Sequence, residues 1–271
     1  MNIIQRRRRY IGGLPTGYSN TGAVTLDGTN DFIELGYQPQ AALRNSFTLG
    51  FWIKSASLNA GNGSGGLKYL FNIYQSGNEQ IAISIDGAGK IRIQFEVAGS
   101  SGRIHQGTDS APYSHGTTSG NWDHIGLVVT EGASGGDNTT MKIFRNGSEL
   151  ASTVSTGTIT STQQSAAGWA GNFGAFGALR HSGGALQHIP TSIDEMAMWT
   201  VALDDAAMAV VGNTSNIKDL TEDSGDYDNS DDLEFYYKLN EGTGTNAADS
   251  SGNGHTAVLT NGPTWISGAF N

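Results

Sequence analysis

The chain has 271 residues, carries a net charge of −10 at pH 7 and contains 39 glycines but no cysteine. The absence of cysteine excludes disulfides, thiolate zinc sites, iron–sulfur clusters and cysteine nucleophiles. A high glycine content combined with only 15% charged residues is typical of many short strands joined by tight turns, and it argues against coiled coils and helical repeats. We therefore expect an all-β protein.

The first 20 residues lack any sustained hydrophobic period and predict an extended N-terminal arm. This arm contains a block of four arginines followed by a tyrosine: Arg6, Arg7, Arg8, Arg9 and Tyr10. Because the four arginines carry a charge of +4, the rest of the chain carries −14, which disfavours nucleic-acid binding. Arginine clamps carboxylates with paired hydrogen bonds, so we expect the arm to be an assembly anchor that docks on an acidic partner surface.

Alternation of apolar and polar residues with a period of two begins at Ala23. It is clearest from Ile81 to Val97, where apolar side chains occupy the odd positions and Asp86-Gly87 separates two runs. This pattern predicts a hairpin with one buried face and one solvated face, turning at Asp86-Gly87.

A second hairpin is predicted at Asn146-Gly147, because both residue types tolerate positive φ. Only one stretch, residues 202–213, has a helical pattern, with Asp204 or Asp205 near its start and Gly212 at its end. Further strands are expected over residues 23–26, 31–35, 46–54, 68–73, 123–130 and 193–199.

Eight of the sixteen residues from Asp219 to Glu234 are acidic, which predicts a solvated linker over residues 213–232. Apolar runs return after it, so residues 233–271 are expected to form further strands.

Six segments resemble, in family order, the laminin G-like, concanavalin A-like jelly-roll superfamily. They are residues 23–35, 45–54, 121–129, 141–150, 192–203 and 236–259. The resemblance implies an all-β jelly-roll sandwich over residues 21–212. In that family the segment resembling 236–259 usually comes first, whereas here it comes last. Either the domain is circularly permuted and these strands complete it, or they dock on a neighbouring subunit.

The resemblance also bears on catalysis. Glucanases of the superfamily carry a nucleophile and a general acid on one strand, because both groups must flank the same sugar bond. Their pattern is E-x-D-x-E or E-x-D-x-x-E, so the second glutamate has two alternative positions. In the matching strand Ser192 takes the first glutamate position, and Met196 and Ala197 fill the second. We therefore expect no enzymatic activity, with a remote glycosidase or lyase as an alternative.

A calcium site is predicted in the loop that begins at Asp249, which resembles a family loop that often carries this ion. Ca²⁺ binds six to eight oxygens, and loops rich in Asp, Asn and Gly carbonyls supply them. A plain Asx-type turn is the alternative. The candidate ligands are Asp249, Asn253 and His255, with Asp194 and Asp27 from adjacent loops.

Sugar recognition is predicted from aromatic and polar residues that stand among glycines, because glycine lets the backbone approach a ligand closely. The candidates are Trp169, Phe173, Arg180 and His181 in one glycine-rich segment and Tyr113 in another.

The sequence shows no apolar run long enough for a membrane span and no signal-peptide core. A route that reconciles this with a lectin-like fold is assembly into a virus particle in the host cytoplasm. We therefore expect a non-catalytic bacteriophage virion protein, a decoration, appendage or tail module. It would form homo-oligomers, contact other virion proteins and have a cell-surface glycan as a further ligand. An exported carbohydrate-binding adhesin module is the alternative.

Overall fold

The computed structural model describes residues 18–54, 66–75, 79–97, 103–108, 121–133, 137–169, 173–181 and 183–269. The arginine block, Tyr10 and Tyr113 lie outside these residues, so their predicted roles stay predictions. None of the helices in the described ranges has the length and apolarity needed to cross a membrane.

Strands dominate the described residues. In chain order they are β1 (Ala23–Asp27), β2 (Phe32–Leu35), β3 (Phe47–Lys54), β4 (Lys68–Gln75), β5 (Glu79–Ile85), β6 (Ile91–Glu96), β7 (Arg103–Thr108), β8 (Asp123–Thr130), β9 (Thr140–Arg145), β10 (Ser148–Glu149), β11 (Ser152–Thr156), β12 (Phe173–Phe176), β13 (Leu179–His181), β14 (Gly184–Leu186), β15 (Pro190–Trp199), β16 (Leu233–Tyr237), β17 (Asn246–Ala247), β18 (Ala257–Thr260) and β19 (Thr264–Ile266). The helices are α1 (Gln40–Leu43), α2 (Ser161–Ala166) and α3 (Asp205–Val211), with a 3₁₀ turn at Ser230–Asp232.

The strands form two antiparallel sheets and one small hairpin. The eight-stranded sheet has the order β10-β9-β8-β3-β15-β1-β19, with β16 also paired to β15. The nine-stranded sheet has the order β11-β7-β6-β5-β4-β12-β2-β18-β17, and β13 pairs with β14. The expected all-β jelly-roll sandwich is confirmed.

The main core lies between the two sheets. Phe51 of β3 meets Phe176 of β12 edge to face, with ring centroids 5.4 Å apart, and Phe47 meets Phe95 of β6 in the same way at 6.1 Å. The odd-numbered isoleucines of β5 and β6 point into this core, as period-two alternation predicts. The even-numbered side chains of these strands therefore lie on the outward face of the nine-stranded sheet.

The two predicted hairpin turns differ in outcome. Asn146 and Gly147 have φ of 52° and 76°, as a tight turn of this type needs. The turn between β5 and β6 is longer than predicted. Asp86 accepts hydrogen bonds from the backbone N–H groups of Ala88 and Lys90, and Gly89, not Gly87, takes the positive φ of 79°. An Asp side chain that satisfies turn N–H groups favours this wider loop.

The acidic segment is not a solvated linker. Tyr227 is completely buried, accepts a hydrogen bond of 3.0 Å from the indole of Trp199 and donates one of 2.8 Å to the carbonyl of Leu220. With α3, this segment covers part of the outer side of the eight-stranded sheet. Ile217, Leu220 and Tyr227 are its buried side chains, while most of the acidic side chains stay in water.

The C-terminal strands pair within the same chain. β16 joins β15, β18 joins β2 and β19 joins β1. Of the two arrangements that the sequence leaves open, the structure has the one in which residues 233–269 complete the sandwich.

Candidate ligand-binding face

The outward side of the nine-stranded sheet carries a regular set of polar side chains. Across β5 and β6, Gln80 is opposite Glu96 and Ser84 is opposite Arg92. Each side chain on a strand points to the face opposite that of its neighbour. Because the isoleucines of β5 and β6 point into the core, the polar residues between them lie on the outward face. They form the central part of the face turned away from the main core, and Gln80 and Ser84 are themselves buried there.

Strand β4 extends these rows with Asn72 and Tyr74. Asn72 is opposite Ala82, and Tyr74 is opposite Gln80. Asn72 is fully buried, and its Nδ2 finds no hydrogen-bond partner among the described residues. Tyr74 is half-buried. The row therefore places a partly exposed aromatic ring beside a buried amide whose donor has no partner among the described residues.

The β13–β14 hairpin packs on the same face through a small apolar cluster that includes Phe32, Ala175 and Ala185. The backbone N–H of Arg180 donates a hydrogen bond of 3.1 Å to Oδ1 of Asn72. This bond orients the Asn72 amide and places Arg180 beside the sheet.

Arg180 is held by its own neighbours. Its Nε and Nη2 atoms both lie 3.1 Å from Oε1 of Glu34 on β2, and Nη1 donates a hydrogen bond of 2.7 Å to the carbonyl of His181. The guanidinium also lies 6.0 Å from the ring of Phe32. These contacts fix the position of the Arg180 side chain, and the carboxylate of Glu34 balances its charge.

His181 forms the rim of the site. Its Nδ1 accepts a hydrogen bond of 3.0 Å from the backbone N–H of Gly183, so in the neutral ring Nε2 carries the proton. The imidazole meets the ring of Tyr74 edge to face, with centroids 6.2 Å apart. We name Glu34, Asn72, Tyr74, Arg180 and His181 the hairpin cluster.

The five residues predicted for sugar binding have different places in the fold. Arg180 and His181 belong to the hairpin cluster. The backbone of Phe173 pairs with Tyr74, but its side chain lies outside the described residues, as does all of Tyr113.

Trp169 does not fit the prediction, because it is completely buried and stacks on Phe95 in the main core, with centroids 6.1 Å apart. The carboxylate of Glu79 accepts hydrogen bonds from the backbone N–H groups of Gly168 and Trp169 at 2.7 and 2.6 Å. This anchorage turns the indole inward, where its large apolar surface is removed from water.

Sequence reasoning missed Glu34, Asn72 and Tyr74. The available signal was the alternation itself, since each of these residues stands beside an inward-facing apolar residue of its strand. That signal shows which face a residue is on, but not which other strands bring further residues to it.

The predicted calcium loop is closed by hydrogen bonds. The Asp249 carboxylate accepts them from the backbone N–H groups of Tyr236, Ser251 and His255, each at 2.9 Å, and from the Ser251 hydroxyl at 2.8 Å. Burial alone would raise the pKa of Asp249, but these backbone hydrogen bonds outweigh it and lower the pKa. The loop is an Asx-type turn that ties the C-terminal segment to β16.

The other predicted ligands are also engaged. The carbonyl of His255 accepts a hydrogen bond of 2.6 Å from Tyr237, and its ring stacks on Tyr37 at 3.5 Å. Asn253 donates its amide to the carbonyls of Leu233 and Glu234.

Asp27 caps its own turn through the N–H groups of Thr29 and Asn30. Across the described ranges, no group of three or more His, Asp and Glu side chains is arranged to hold a metal ion. The candidate ligands are therefore engaged in hydrogen bonds within the protein, and calcium binding stays a prediction.

Asp194 and Glu195 occupy the strand that resembles the glucanase catalytic strand, and both are buried. Glu195 accepts hydrogen bonds from Tyr18 at 2.5 Å, from Asn20 at 2.6 Å and from the hydroxyl of Tyr236. Burial raises the pKa of both carboxyls, and the charge of Glu195 raises that of Asp194 further. Tyr18 and Asn20 thus belong to the packed domain and not to the predicted arm of residues 1–20.

The sandwich and its outward polar face define the class of the protein, an all-β jelly roll of the lectin-like type. The chain belongs to the concanavalin A-like lectin/glucanases superfamily, whose laminin G-type family matches residues 27–209. A comparison with curated proteins gave no match.

Solved structures share the fold at low sequence identity. A native heptameric SAP-like pentraxin from Limulus polyphemus has a TM-score of 0.53 and 14% identity, covering 93% of this chain and 96% of the pentraxin. A candidate carbohydrate-binding protein from Bacteroides ovatus has a TM-score of 0.54 and 18% identity, covering 92% of this chain and 60% of that protein. The CBM40 module of a Ruminococcus gnavus sialidase, bound to α2,3-sialyllactose, has a TM-score of 0.50 and 13% identity, covering 72% of this chain and the whole module.

Proposed function

We propose that this protein is a non-catalytic carbohydrate-binding module whose ligand face is the outward side of the nine-stranded sheet, centred on the hairpin cluster. The observation that carries the proposal is the cluster itself. It joins a half-buried tyrosine ring, an imidazole and a partly exposed carboxylate on the outward side of the sheet, where the buried Asn72 amide holds the backbone of Arg180. Sugars are bound by aromatic rings together with a few fixed polar groups of this kind.

Two of the similar structures are described by carbohydrate binding, namely the candidate protein from Bacteroides ovatus and the CBM40 module. Their identity to this chain is low, so they support the class of ligand only by analogy of fold. The hairpin cluster supplies the chemistry that this analogy lacks.

The absence of catalysis is part of the proposal. Ser192 bonds to Thr25, Met196 lies in the main core and Ala197 packs under the outer segment. The carboxylates of Asp194 and Glu195 are buried and occupied by hydrogen bonds, which supports the absence of a carboxylate pair flanking a sugar bond.

The virion role has no support in these similarities. It rests on the arginine block, which lies outside the described residues. It stays a prediction, to be tested by mass spectrometry of purified particles.

The direct test is a glycan array followed by calorimetry with the best ligand. We expect binding by the parent and a loss of about tenfold or more when Tyr74→Ala and His181→Ala are combined, since aromatic and hydrogen-bond contacts are removed together. Thr140→Ala with Lys142→Ala, on the other sheet, is the matched control and should bind as the parent does. No binding by the parent to any glycan, or equal binding by the Tyr74/His181 variant, would refute the assignment.

Catalysis is tested separately on a broad polysaccharide panel. We expect no turnover. Turnover that disappears in Asp194→Asn or Glu195→Gln variants would show that the buried pair acts in hydrolysis.

A further inference from the structure

We infer that the hairpin cluster selects neutral sugars over acidic ones and that Glu34 is the residue that sets this preference. The inference rests on the proposed function, and it names the ligand class and the discriminating residue. Its basis is which hydrogen-bonding groups of the cluster are occupied and which remain available.

Each of the three guanidinium nitrogens of Arg180, the cation of the cluster, faces an acceptor within the protein. Nε and Nη2 face Oε1 of Glu34, and Nη1 faces the carbonyl of His181. Only 19% of its side chain is exposed. Arg binds carboxylates by presenting two parallel N–H groups, and here Glu34 already fills that position. An acidic sugar would have to displace it.

Glu34 itself remains partly open. Its side chain is 33% exposed, and its hydrogen bond and ion pair with Arg180 use Oε1. Oε2 is therefore available to accept a hydrogen bond from a sugar hydroxyl. The same oxygen carries negative charge, which would repel a sugar carboxylate placed beside it.

The other polar groups of the cluster suit hydroxyl ligands. Tyr74 offers a hydroxyl that both donates and accepts, and His181 offers Nε2–H once Nδ1 is occupied by Gly183. Nearby on β6, Arg92 and Glu96 add one charge of each sign to the face. Among the described residues of the hairpin cluster and of β6, Glu34 and Glu96 thus balance the charges of Arg180 and Arg92, in a chain whose overall charge is −10.

The test compares neutral glycans with their sialylated or uronic-acid counterparts, first on an array and then by calorimetry. The parent should prefer the neutral member of each pair. Glu34→Gln should retain a hydrogen bond to Arg180 while removing the charge, so the neutral-to-acidic affinity ratio should fall by about tenfold or more. Binding of acidic glycans to the Glu34→Gln variant should weaken with added salt, because it would depend on the charge of Arg180, which no carboxylate at position 34 then balances.

Glu149→Gln, which removes the same charge on the other sheet, is the matched control and should keep the parent's ratio. A parent that binds acidic members as tightly as neutral ones would overturn the inference and leave the proposed function standing. An unchanged ratio in folded Glu34→Gln would also overturn it, with folding checked by the melting curve. A parent that binds no glycan would refute both.

Discussion

The backbone N–H of Glu195 donates a hydrogen bond of 2.9 Å to Oδ1 of Asp194, the residue before it. Glu195 has a φ of 49°, and the pairing of β15 with β3 shifts register between Asp194 and Ala197. This bulge lets two consecutive carboxylates lie on the same outer side of the eight-stranded sheet, where regular alternation would separate them. Glu195 accepts hydrogen bonds from Tyr18 and Asn20, near the start of the described residues. Asp194 accepts one from the N–H of Ala269, near their end.

This carboxylate pair makes stability depend on pH. Burial raises the pKa of Glu195 to about 7 from an ordinary 4.5, so the folded protein holds this proton more tightly than the unfolded chain does. Protonated Glu195 therefore stabilises the folded state fully below pH 4.5, and this stabilisation is lost as the pH rises through about 7. The facing groups are Tyr18, Tyr236 and Lys238, and the ammonium of Lys238 is itself paired with Asp219 at 2.7 Å.

We therefore expect the melting temperature to fall as the pH is raised from about 6 to about 8, and Glu195→Gln to flatten this dependence because its amide does not titrate. Thermal melts at several pH values provide the measurement, with the exposed Glu222→Gln as control. Parallel curves for parent and Glu195→Gln would show that the pair does not control stability in this range.

Two N-terminal truncations should separate the arm from the domain. Deleting residues 2–14 is expected to leave the melting curve unchanged, whereas deleting 2–20 removes the two donors that Tyr18 and Asn20 give to Glu195. Unsatisfied buried acceptors cost about 1–3 kcal/mol each, so the longer deletion should be clearly less stable in urea unfolding. If both deletions melt alike, the contacts of Glu195 with Tyr18 and Asn20 contribute nothing to stability.

Trp169→Ala tests whether this residue belongs to the core or to a sugar site. Because the indole is fully buried against Phe95, the substitution should lower the free energy of unfolding by about 3–5 kcal/mol. Trp265→Ala is the comparison, since Trp265 is only partly buried, and its loss should be smaller. A stable Trp169→Ala variant that has lost glycan binding would support the sugar-binding role predicted from the sequence.

Asp249→Ala tests whether its loop is held by hydrogen bonds or by calcium. The carboxylate makes its hydrogen bonds without an ion, so the variant should melt below the parent by the same amount in calcium and in EDTA. A parent whose melting temperature drops in EDTA, with no such drop in Asp249→Ala, would instead establish the predicted calcium site. Magnesium in place of calcium serves as the ion control.

The elements that the sequence predicts well are those whose signals are local. Alternation from Ile81 to Val97 depends only on neighbouring residues, and it correctly predicts β5 and β6. Helix α3 is predicted in the same way, because Asp204 caps it by accepting a hydrogen bond from the N–H of Ala207.

The sequence by itself determined strands such as β5 and β6, helix α3 and the resemblance to the family, because backbone geometry and side-chain alternation act over a few residues. It did not predict helices α1 and α2 or strands β7 and β11. Only the tertiary structure decided which side chains share a site or a core. Arg180 and Glu34 are 146 positions apart and meet because β2 and β12 are neighbours in one sheet. Trp169 and Tyr227 are buried for the same reason, since the layers that cover them come from distant segments. Burial depends on the packing of such segments, and no local pattern records it.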